Sequence, residues 1–314
     1  MSGEPHVFEI VFLGTSASAP TIQRNVTASL VIYRQYRFLI DCGEGTQRQI
    51  LRSGIGFRRL ERVLLTHGHL DHILGLGGIV STFARWETNE RLEIYGMRRA
   101  LGRVRELLLR VVLRGARSDL QISFKEIKPG VFFSDNHFEL SAFLVDHKGR
   151  DSVGYVFQER PRRPFLADKA EALGVPFGPE RKRLVDGQPV SLTDGRVIRP
   201  DDVLGPAEPG TKLVYVGDTD RVDNLLDHVR GADALVIEAT YLSEDRDLSS
   251  HFGHITAAQA ASLARDAGVR KLILNHISRR YQGREIAAEA QAIFPHAVVA
   301  HDFDRFQIKG NSGT

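Results

Sequence analysis

The chain has 314 residues, of which 42% are hydrophobic and 26% are charged. This is ordinary globular composition, and it excludes global disorder. The formal net charge is only +3, and no apolar run approaches the roughly 20 residues that a membrane-spanning helix needs, so we expect no membrane partner.

The single cysteine limits the kinds of metal site that the chain can build. Cys42 has no partner for an internal disulfide, and it cannot form the thiolate cluster of a structural zinc site. Any metal ion must therefore be held by histidine and carboxylate. The first apolar run is not preceded by a basic stretch, so we expect no signal peptide and a cytoplasmic protein.

Strand-like and helical patterns alternate along the chain. Apolar or alternating runs typical of strands cover 7–14, 28–33, 37–43, 62–67, 91–96, 138–147, 152–158, 212–218, 234–240, 271–276 and 297–302. Helical patterns cover 44–54, 72–85, 98–113, 221–230, 256–267 and 284–293. Strands interleaved with helices predict an α/β layer architecture.

Arginines are concentrated in the predicted helix 98–113 and its continuation. They are Arg98, Arg99, Arg103, Arg105, Arg110, Arg114 and Arg117. Most of them recur at helical spacing opposite an apolar stripe, which is Leu101, Val104, Leu108 and Val111. Such a face is typical of a solvated helix, and the alternative is a surface that binds nucleic acid.

A proline-rich stretch at about 160–210 interrupts the alternation. It holds Pro161, Pro164, Pro176, Pro179, Pro189, Pro200, Pro206 and Pro209, out of 12 prolines in the chain. This density predicts neither core strands nor core helices. Long connections inside compact domains are usually functional, so the stretch is either a surface excursion without a role or an arm that touches a partner.

A dense group of metal-binding side chains follows the predicted strand 62–67. In LLTHGHLDHILG, residues 64–75, His67 and His69 are near enough to share one ion. Asp71 and His72 lie one short turn further, which suits a second ion. Zinc accepts both histidine and aspartate, whereas calcium and magnesium favour oxygen ligands.

Three more predicted strands end in a residue that can bind metal. These residues are His147, Asp218 and His276. Each alone could be an ordinary hydrogen-bonded residue, but four strand ends with the same property predict a dinuclear metal site. Cations at this site would offset the cost of burying so many polar groups.

These residues resemble the ligand pattern of the metallo-β-lactamase fold superfamily, in which H-x-H-x-D-H precedes further ligands. Other motifs narrow the resemblance to the ribonuclease Z family. They are Pro20, Arg24 and Asn25 in a P-x-x-x-R-N loop, Asp41 and Glu44 in FLIDCGEGTQ, EATY at 238–241, NHISRRY at 275–281 and FGPERKRL at 177–184. The resemblance implies a four-layer αββα sandwich forming one catalytic domain over 1–314, with a protruding flexible arm inserted at 160–210.

The resemblance also implies the metal ligands. One zinc ion would be held by His67, His69, His147 and Asp218, and the other by Asp71, His72, Asp218 and His276. Asp218 would bridge the two ions, and Asp41 would orient a ligand. Manganese or iron in place of zinc stays open.

The family further implies hydrolysis of precursor tRNA, which removes the 3′ trailer and leaves a 3′-hydroxyl. Asp71 would orient or deprotonate the water, and His254, held by Glu238, would donate a proton to the leaving oxygen. The sequence departs from the family at 254–256, where it reads His-Ile-Thr in place of the usual His-Ser-Thr. His251 is a competing candidate that does not align with the motif.

For its substrate, the family implies recognition of tRNA away from the metal ions. The arm would grip the tRNA body through Gly178, Pro179, Arg181 and Lys182, while Arg24 and Asn25 line the path of the 3′ end. One compact subunit can hardly make both contacts on the same tRNA. The family therefore implies a homodimer in which the arm of one subunit acts on the tRNA bound to the other. Two alternatives stay open: a small-molecule hydrolase of the superfamily, such as a phosphodiesterase, and a non-catalytic RNA-binding protein with structural metals.

Overall fold

The computed structural model describes residues 7–86, 89–116, 118–149 and 151–310, so Arg117 of the arginine-rich stretch lies outside the described residues. Within these ranges no helix has both the length and the apolar character needed to cross a bilayer. The chain forms two compact units. The larger comprises the residues up to Gln158 together with Thr211–Lys309, and the smaller comprises Glu159–Gly210.

The strands in chain order are β1 Phe8–Gly14, β2 Ala28–Tyr33, β3 Tyr36–Ile40, β4 Arg62–Leu64, β5 Arg91–Gly96, β6 Gln121–Glu126, β7 Gly130–Ser134, β8 Phe138–Val145, β9 Ser152–Glu159, β10 Val190–Ser191, β11 Val197–Ile198, β12 Lys212–Tyr215, β13 Ala234–Glu238, β14 Leu272–Asn275, β15 Ala297–Val299 and β16 Arg305–Ile308. The α-helices are α1 Thr46–Arg52, α2 Leu70–Ile73, α3 Leu76–Trp86, α4 Arg98–Arg105, α5 Ala167–Ala172, α6 Pro179–Val185, α7 Pro200–Val203, α8 Leu226–Val229, α9 Arg246–Phe252, α10 Ala257–Asp266 and α11 Gly283–Gln291. A π-helix covers Glu106–Val112, and a 3-10 helix covers Ser243–Asp245.

Two seven-stranded sheets form the centre of the larger unit. Their strand orders are β16-β1-β2-β3-β4-β5-β6 and β15-β14-β13-β12-β9-β8-β7. The neighbours from β3 to β6 run parallel, and so do those from β12 to β15. The carboxyl ends of parallel strands meet at one edge of a sheet, which is where the loops of this fold bring their polar side chains together.

Alternate residues of each strand face different apolar cores. In β3, Phe38 and Ile40 lie in the core between the two sheets, while Leu39 packs with helices α1, α3 and α4 on the outer face. In β13, Val236 faces the central core, while Leu235 packs with α8, α10 and α11. Each sheet thus has helices on its outer face and the other sheet on its inner face, which confirms the predicted αββα fold class.

The predicted helix 98–113 is wrong in its second half. It is α-helical only through α4, and the π-helix that follows has wider turns. Leu101, Val104 and Leu108 are buried as predicted, but Val111 is 69% exposed because the wider turn rotates it out of the apolar stripe. The predicted helix 221–230 is likewise shorter and is limited to α8.

The smaller unit contains regular structure around its own apolar core, so the expectation that the proline density excludes core strands and core helices is also wrong. Pro179 and Pro200 are the first residues of α6 and α7, where a missing N–H costs no helical hydrogen bond. Strands β10 and β11 pair as a small antiparallel sheet. A separate apolar core joins these elements and consists of Ala170, Val175, Leu184, Val190, Ile198 and Val203.

Candidate functional site

The loops after β4, β8, β12 and β14 bring their polar residues together in the larger unit. Ligand atoms lie within 4.8 Å of one another in three overlapping groups: His67, His69, His147 and Asp218; Asp71, His72 and His276; and Asp218, His254 and His276. All seven predicted metal ligands and the predicted proton donor therefore lie in one cluster, most of it buried.

Asp218 lies at the centre of this cluster. Its Oδ2 is 3.7 Å from His67 Nε2 and 3.5 Å from His72 Nε2, and its Oδ1 is 3.4 Å from His276 Nε2. Burial opposes its ionisation, but the surrounding imidazoles hold the pKa of Asp218 well below its ordinary value. One carboxylate thus faces both groups of histidines, as a bridging ligand would.

Unsatisfied buried atoms test whether the cluster fits a metal ion. His72 Nε2, His276 Nε2 and Asp218 Oδ1 are fully buried and have no hydrogen-bond partner within the described residues. Each such atom costs about 1–3 kcal/mol if nothing else compensates. Imidazole nitrogens and a carboxylate oxygen directed at one another are a donor set for a divalent cation, so the residues fit the metal that the fold implies.

Asp41, directly after β3, orients the loop that runs from Thr66 to His72. Its carboxylate accepts hydrogen bonds from Thr66 N at 2.8 Å and Thr66 Oγ1 at 2.7 Å, and it pairs with His72 Nδ1 at 2.8 Å. Burial disfavours the imidazolium, but Asp218, Asp71 and Asp41 together raise the pKa of His72 above its ordinary value. The contact at Nδ1 leaves Nε2 of His72 facing the cluster.

Two further histidines are oriented in the same way from the second sheet. His147 Nδ1 lies 2.7 Å from the carbonyl oxygen of Gly253, so Nδ1 carries the proton and Nε2 faces the cluster. His276 Nδ1 lies 3.0 Å from Thr240 Oγ1. Burial lowers the pKa of His147, which favours the neutral imidazole that binds metal.

Glu238, the last residue of β13, supports His254. Its Oε1 pairs with His254 Nδ1 at 3.0 Å and accepts from Thr219 N at 2.8 Å. Its Oε2 accepts from Thr240 Oγ1 at 2.6 Å and from Ile255 N at 3.3 Å. Burial alone would lower the pKa of His254, but the Glu238 carboxylate raises it to about 9. Nε2 of His254 is left as the atom that can face a substrate.

Asp71 lies at the open side of the cluster. Its Oδ2 accepts a hydrogen bond from Ser18 N at 3.0 Å and is 3.6 Å from both His72 Nε2 and His276 Nε2. Although burial opposes ionisation, the two imidazoles hold the pKa of Asp71 below its ordinary value. An ionised carboxylate in this position can accept a proton or orient water.

The structure adds a detail at the position where the sequence departs from the family. Ile255 is fully buried in the core between the second sheet and its helices, and only its backbone N–H contacts Glu238. Thr256 caps α10 by accepting from Gln259 N. His251 is exposed at the end of α9 and does not enter the cluster.

Arg24 and Asn25 lie in a loop that Asp302 holds. Asp302 accepts from Thr15 Oγ1 at 2.8 Å and from Asn25 N at 2.7 Å. Arg24 Nη1 donates to Thr15 Oγ1 at 2.7 Å and to Ala300 O at 2.6 Å. Arg24 is therefore half-buried and anchors the loop, whereas the Asn25 side chain donates to Glu44 O.

The predicted arm residues lie together in the smaller unit. Gly178 has a φ of 146° and precedes Pro179, the first residue of α6. The Arg181 guanidinium lies 5.0 Å from the Phe177 ring centroid and donates to Val175 O at 3.1 Å. Lys182 is exposed, and Phe177 is 83% exposed. Arg181 thus has a structural contact, while Lys182 and Phe177 face solvent.

Thr240 is a functional neighbour that sequence reasoning missed. Thr240 contacts both Glu238 and His276, and it lies inside the EATY motif, so the motif was the available signal. Asp302 ends the predicted strand 297–302, and this strand-end position was the signal for a supporting role.

Two family models match parts of the chain. Residues 8–168 match a family model described as "Anti-Pycsar protein Apyc1", and residues 203–277 match one described as "Beta-lactamase superfamily domain". A ribonuclease Z from Bradyrhizobium sp. (strain ORS 278) is 47% identical over 302 residues, which are 96% of this chain and 100% of that protein.

Two further similarities cover nearly the full length. A ribonuclease Z from Listeria monocytogenes serovar 1/2a is 40% identical over 96% of this chain and 99% of that protein. The crystal structure of human tRNase Z, short form, has a TM-score of 0.68 at 22% identity and covers 96% of this chain and 99% of that chain. The latter likeness supports the fold.

Proposed function

Because this chain belongs to the ribonuclease Z family, we propose that it is a metal-dependent endoribonuclease that removes the 3′ trailer from precursor tRNA. The products are a tRNA with a 3′-hydroxyl and a trailer with a 5′-phosphate. The observation that carries the proposal is the convergence of His and Asp donors from both sheets on Asp218, in a chain similar to ribonuclease Z over its whole length.

We infer that the cluster holds two zinc ions. His67, His69, His147 and Asp218 would hold one ion, and Asp71, His72, Asp218 and His276 the other. The unsatisfied atoms of His72, His276 and Asp218 support this assignment. Bound zinc would supply a hydroxide nucleophile at neutral pH and would stabilise charge on the phosphate.

The remaining roles fall to side chains whose contacts fit them. Asp71 orients the attacking water and accepts its proton, since its carboxylate is held by Ser18 N at the open side of the cluster. His254 donates a proton from Nε2 to the leaving 3′-oxygen of the tRNA. Glu238 is a positioning residue that acts through His254 Nδ1.

Substrate recognition is proposed to lie partly outside this cluster. The arm at 160–210 grips the tRNA body, with Gly178, Pro179 and Lys182 near the contact and Arg181 bracing Phe177. Arg24 and Asn25 line the path of the 3′ end. The proposal includes a cytoplasmic homodimer in which the arm of one subunit serves the other subunit's site.

A side-by-side assay tests the function. The purified protein, loaded with zinc, is given a precursor tRNA with a 3′ trailer and, separately, a cyclic nucleotide and a small phosphodiester. Mapping the product at nucleotide resolution should show one cut that leaves a 3′-hydroxyl on the tRNA. Efficient turnover of the small substrates with an intact precursor would favour the small-molecule hydrolase instead. RNA binding without any cleavage would favour a non-catalytic scaffold.

A further inference from the structure

A cleft beside the metal cluster has arginines in its wall. The cleft has a volume of about 190 Å³ and is lined by residues that include His67, His69, Arg99, Arg103 and Asp151. Two of these residues are candidate metal ligands, so the cleft opens directly from the site of the proposed reaction. The two arginines belong to the arginine-rich face of α4, for which the proposed function has so far given no role.

Helix α4, which forms one wall of the cleft, packs closely against the loop that carries His67 and His69. A Cβ at Gly68 would lie 3.0 Å from Ala100 Cα, a tighter contact than most, so a larger residue here would push the loop slightly away from α4. Arg103 Nη1 donates to Gly68 O at 2.6 Å, which fixes the loop between His67 and His69. Arg103 is therefore held by its hydrogen bond to the loop, while its side chain still lines the cleft.

Arg99 differs from Arg103 in its partner. Its side chain is 75% exposed, and its Nε lies 3.9 Å from Asp151 Oδ2. An exposed pair at this distance is weak, so a stronger acceptor can replace it. A guanidinium keeps its charge at all physiological pH values and matches the two oxygens of a phosphate.

We propose that Arg99 binds a backbone phosphate of the 3′ trailer in this cleft, with Arg103 holding the loop and adding positive charge. The inference rests on the proposed function, because that function fixes the direction of the RNA. The proton from His254 goes to the 3′-oxygen of the tRNA, so the tRNA lies at the His254 end of the cluster.

The trailer must then leave the cluster away from His254. The His254 ring lies 5.5 Å from the His147 ring and 5.3 Å from the His276 ring, and His254 does not line the cleft. The cleft instead adjoins His67 and His69. Contacts with phosphates alone carry no sequence information, which suits a segment that is removed whatever its sequence.

The test uses the zinc-loaded full chain and the variant Arg99→Gln. The matched control is Arg98→Gln, since Arg98 is exposed on the same turn of α4 but does not line the cleft. KM and kcat for precursor tRNA are measured across a salt series, together with the inhibition constant of mature tRNA that lacks a trailer. Thermal unfolding of both variants verifies that they fold.

We expect Arg99→Gln to raise KM for the precursor about fivefold, the effect of one charge pair in a water-like dielectric. The slope of log KM against log salt should fall by about 0.7, the value for one phosphate contact on a single strand. The inhibition constant of mature tRNA should not change, Arg99→Lys should restore most of the slope, and Arg98→Gln should behave as wild type.

Two results would overturn the inference while leaving the proposed function intact. One is an unchanged salt slope in Arg99→Gln. The other is an equal weakening for mature and precursor tRNA, which would place the phosphate on the tRNA body. If the wild-type protein does not cut the precursor at all, the proposed function itself fails.

Discussion

Replacing Glu238 by glutamine tests how the second sheet supports the candidate proton donor. The carboxylate accepts from or pairs with four groups, which are Thr219 N, Thr240 Oγ1, Ile255 N and His254 Nδ1. An amide of the same shape has only one accepting oxygen. Glutamine would therefore keep the volume of the side chain and lose half of its accepting capacity.

The size of the effect follows from which contacts survive. If the amide oxygen takes the place of Oε1, the contacts with Thr219 and His254 remain, and the NH₂ group faces Thr240 and Ile255. The Thr240 hydroxyl can rotate, but the Ile255 N–H is left buried without an acceptor, which costs about 1–3 kcal/mol. The hydrogen bonds that remain are also weaker, because their acceptor is no longer charged. In total, we expect the free energy of unfolding to fall by about 2–5 kcal/mol.

The same substitution should slow turnover through His254. Positioned acid catalysts contribute about 10²–10⁴-fold, and a donor that keeps its hydrogen bond but loses its charged partner should fall at the lower end, near 10². Urea unfolding gives the stability, and single-turnover cleavage of precursor tRNA gives the rate.

A double-mutant cycle with His254→Ala separates positioning from general damage. If Glu238 acts through His254, the double variant should be about as slow as His254→Ala alone, which should itself remain folded. A folded Glu238→Gln enzyme with the wild-type rate would refute the role. A double variant whose rate loss is the product of the two single losses would do so as well.

Three further predictions follow from the site and the smaller unit. Removing metal with a chelator should abolish cleavage and lower the melting temperature, because the buried donors of His72, His276 and Asp218 lose their partner. Added zinc should restore both cleavage and the melting temperature, and a melting temperature that the chelator leaves unchanged would contradict the metal assignment. Deleting 163–205 should abolish tight binding of precursor tRNA but spare hydrolysis of a small phosphodiester. The chain can close over the deletion because Arg162 and Glu208 already pair as an antiparallel bridge. Unchanged binding of precursor tRNA would exclude a role of the arm in tRNA binding. Ile255→Ser should lower the free energy of unfolding by about 2–5 kcal/mol without raising turnover, because this side chain is fully buried in an apolar core; a more active and equally stable variant would show that a hydroxyl belongs there.

The sequence predicted the buried strands well, but it missed three of the four edge strands of the two large sheets. Central strands such as β2 and β13 are buried on both faces and therefore read as continuous apolar runs. Strands β6, β7 and β16 lie at sheet edges and are only partly buried, so no apolar run identifies them. Their pairing with a neighbouring strand is a tertiary property that local pattern does not record.

At the site, the sequence and the family resemblance predicted which residues would meet and two of the residues that orient them, Asp41 and Glu238, but not every supporting contact. His67, Asp218 and His276 follow apolar strands, and strand ends converge in this class of fold. By contrast, Thr240 acts through a hydrogen bond to His276, which lies far away in the chain. The π-helix was missed for a related reason, because its wider turn depends on packing and leaves no distinct period in seven residues.

The order in which the cluster's side chains are synthesised has a consequence for how the cell makes this protein. His67 and His69 are synthesised in the first quarter of the chain, whereas Asp218 and His276 follow strands of the second sheet in its last third. Until then, the first half of the chain offers only part of the ligand set, and the inner face of its sheet lacks the strands of the second sheet that cover it. A divalent metal ion can find its complete set of ligands only after these residues have been synthesised, so its binding links the loops of both sheets late in translation.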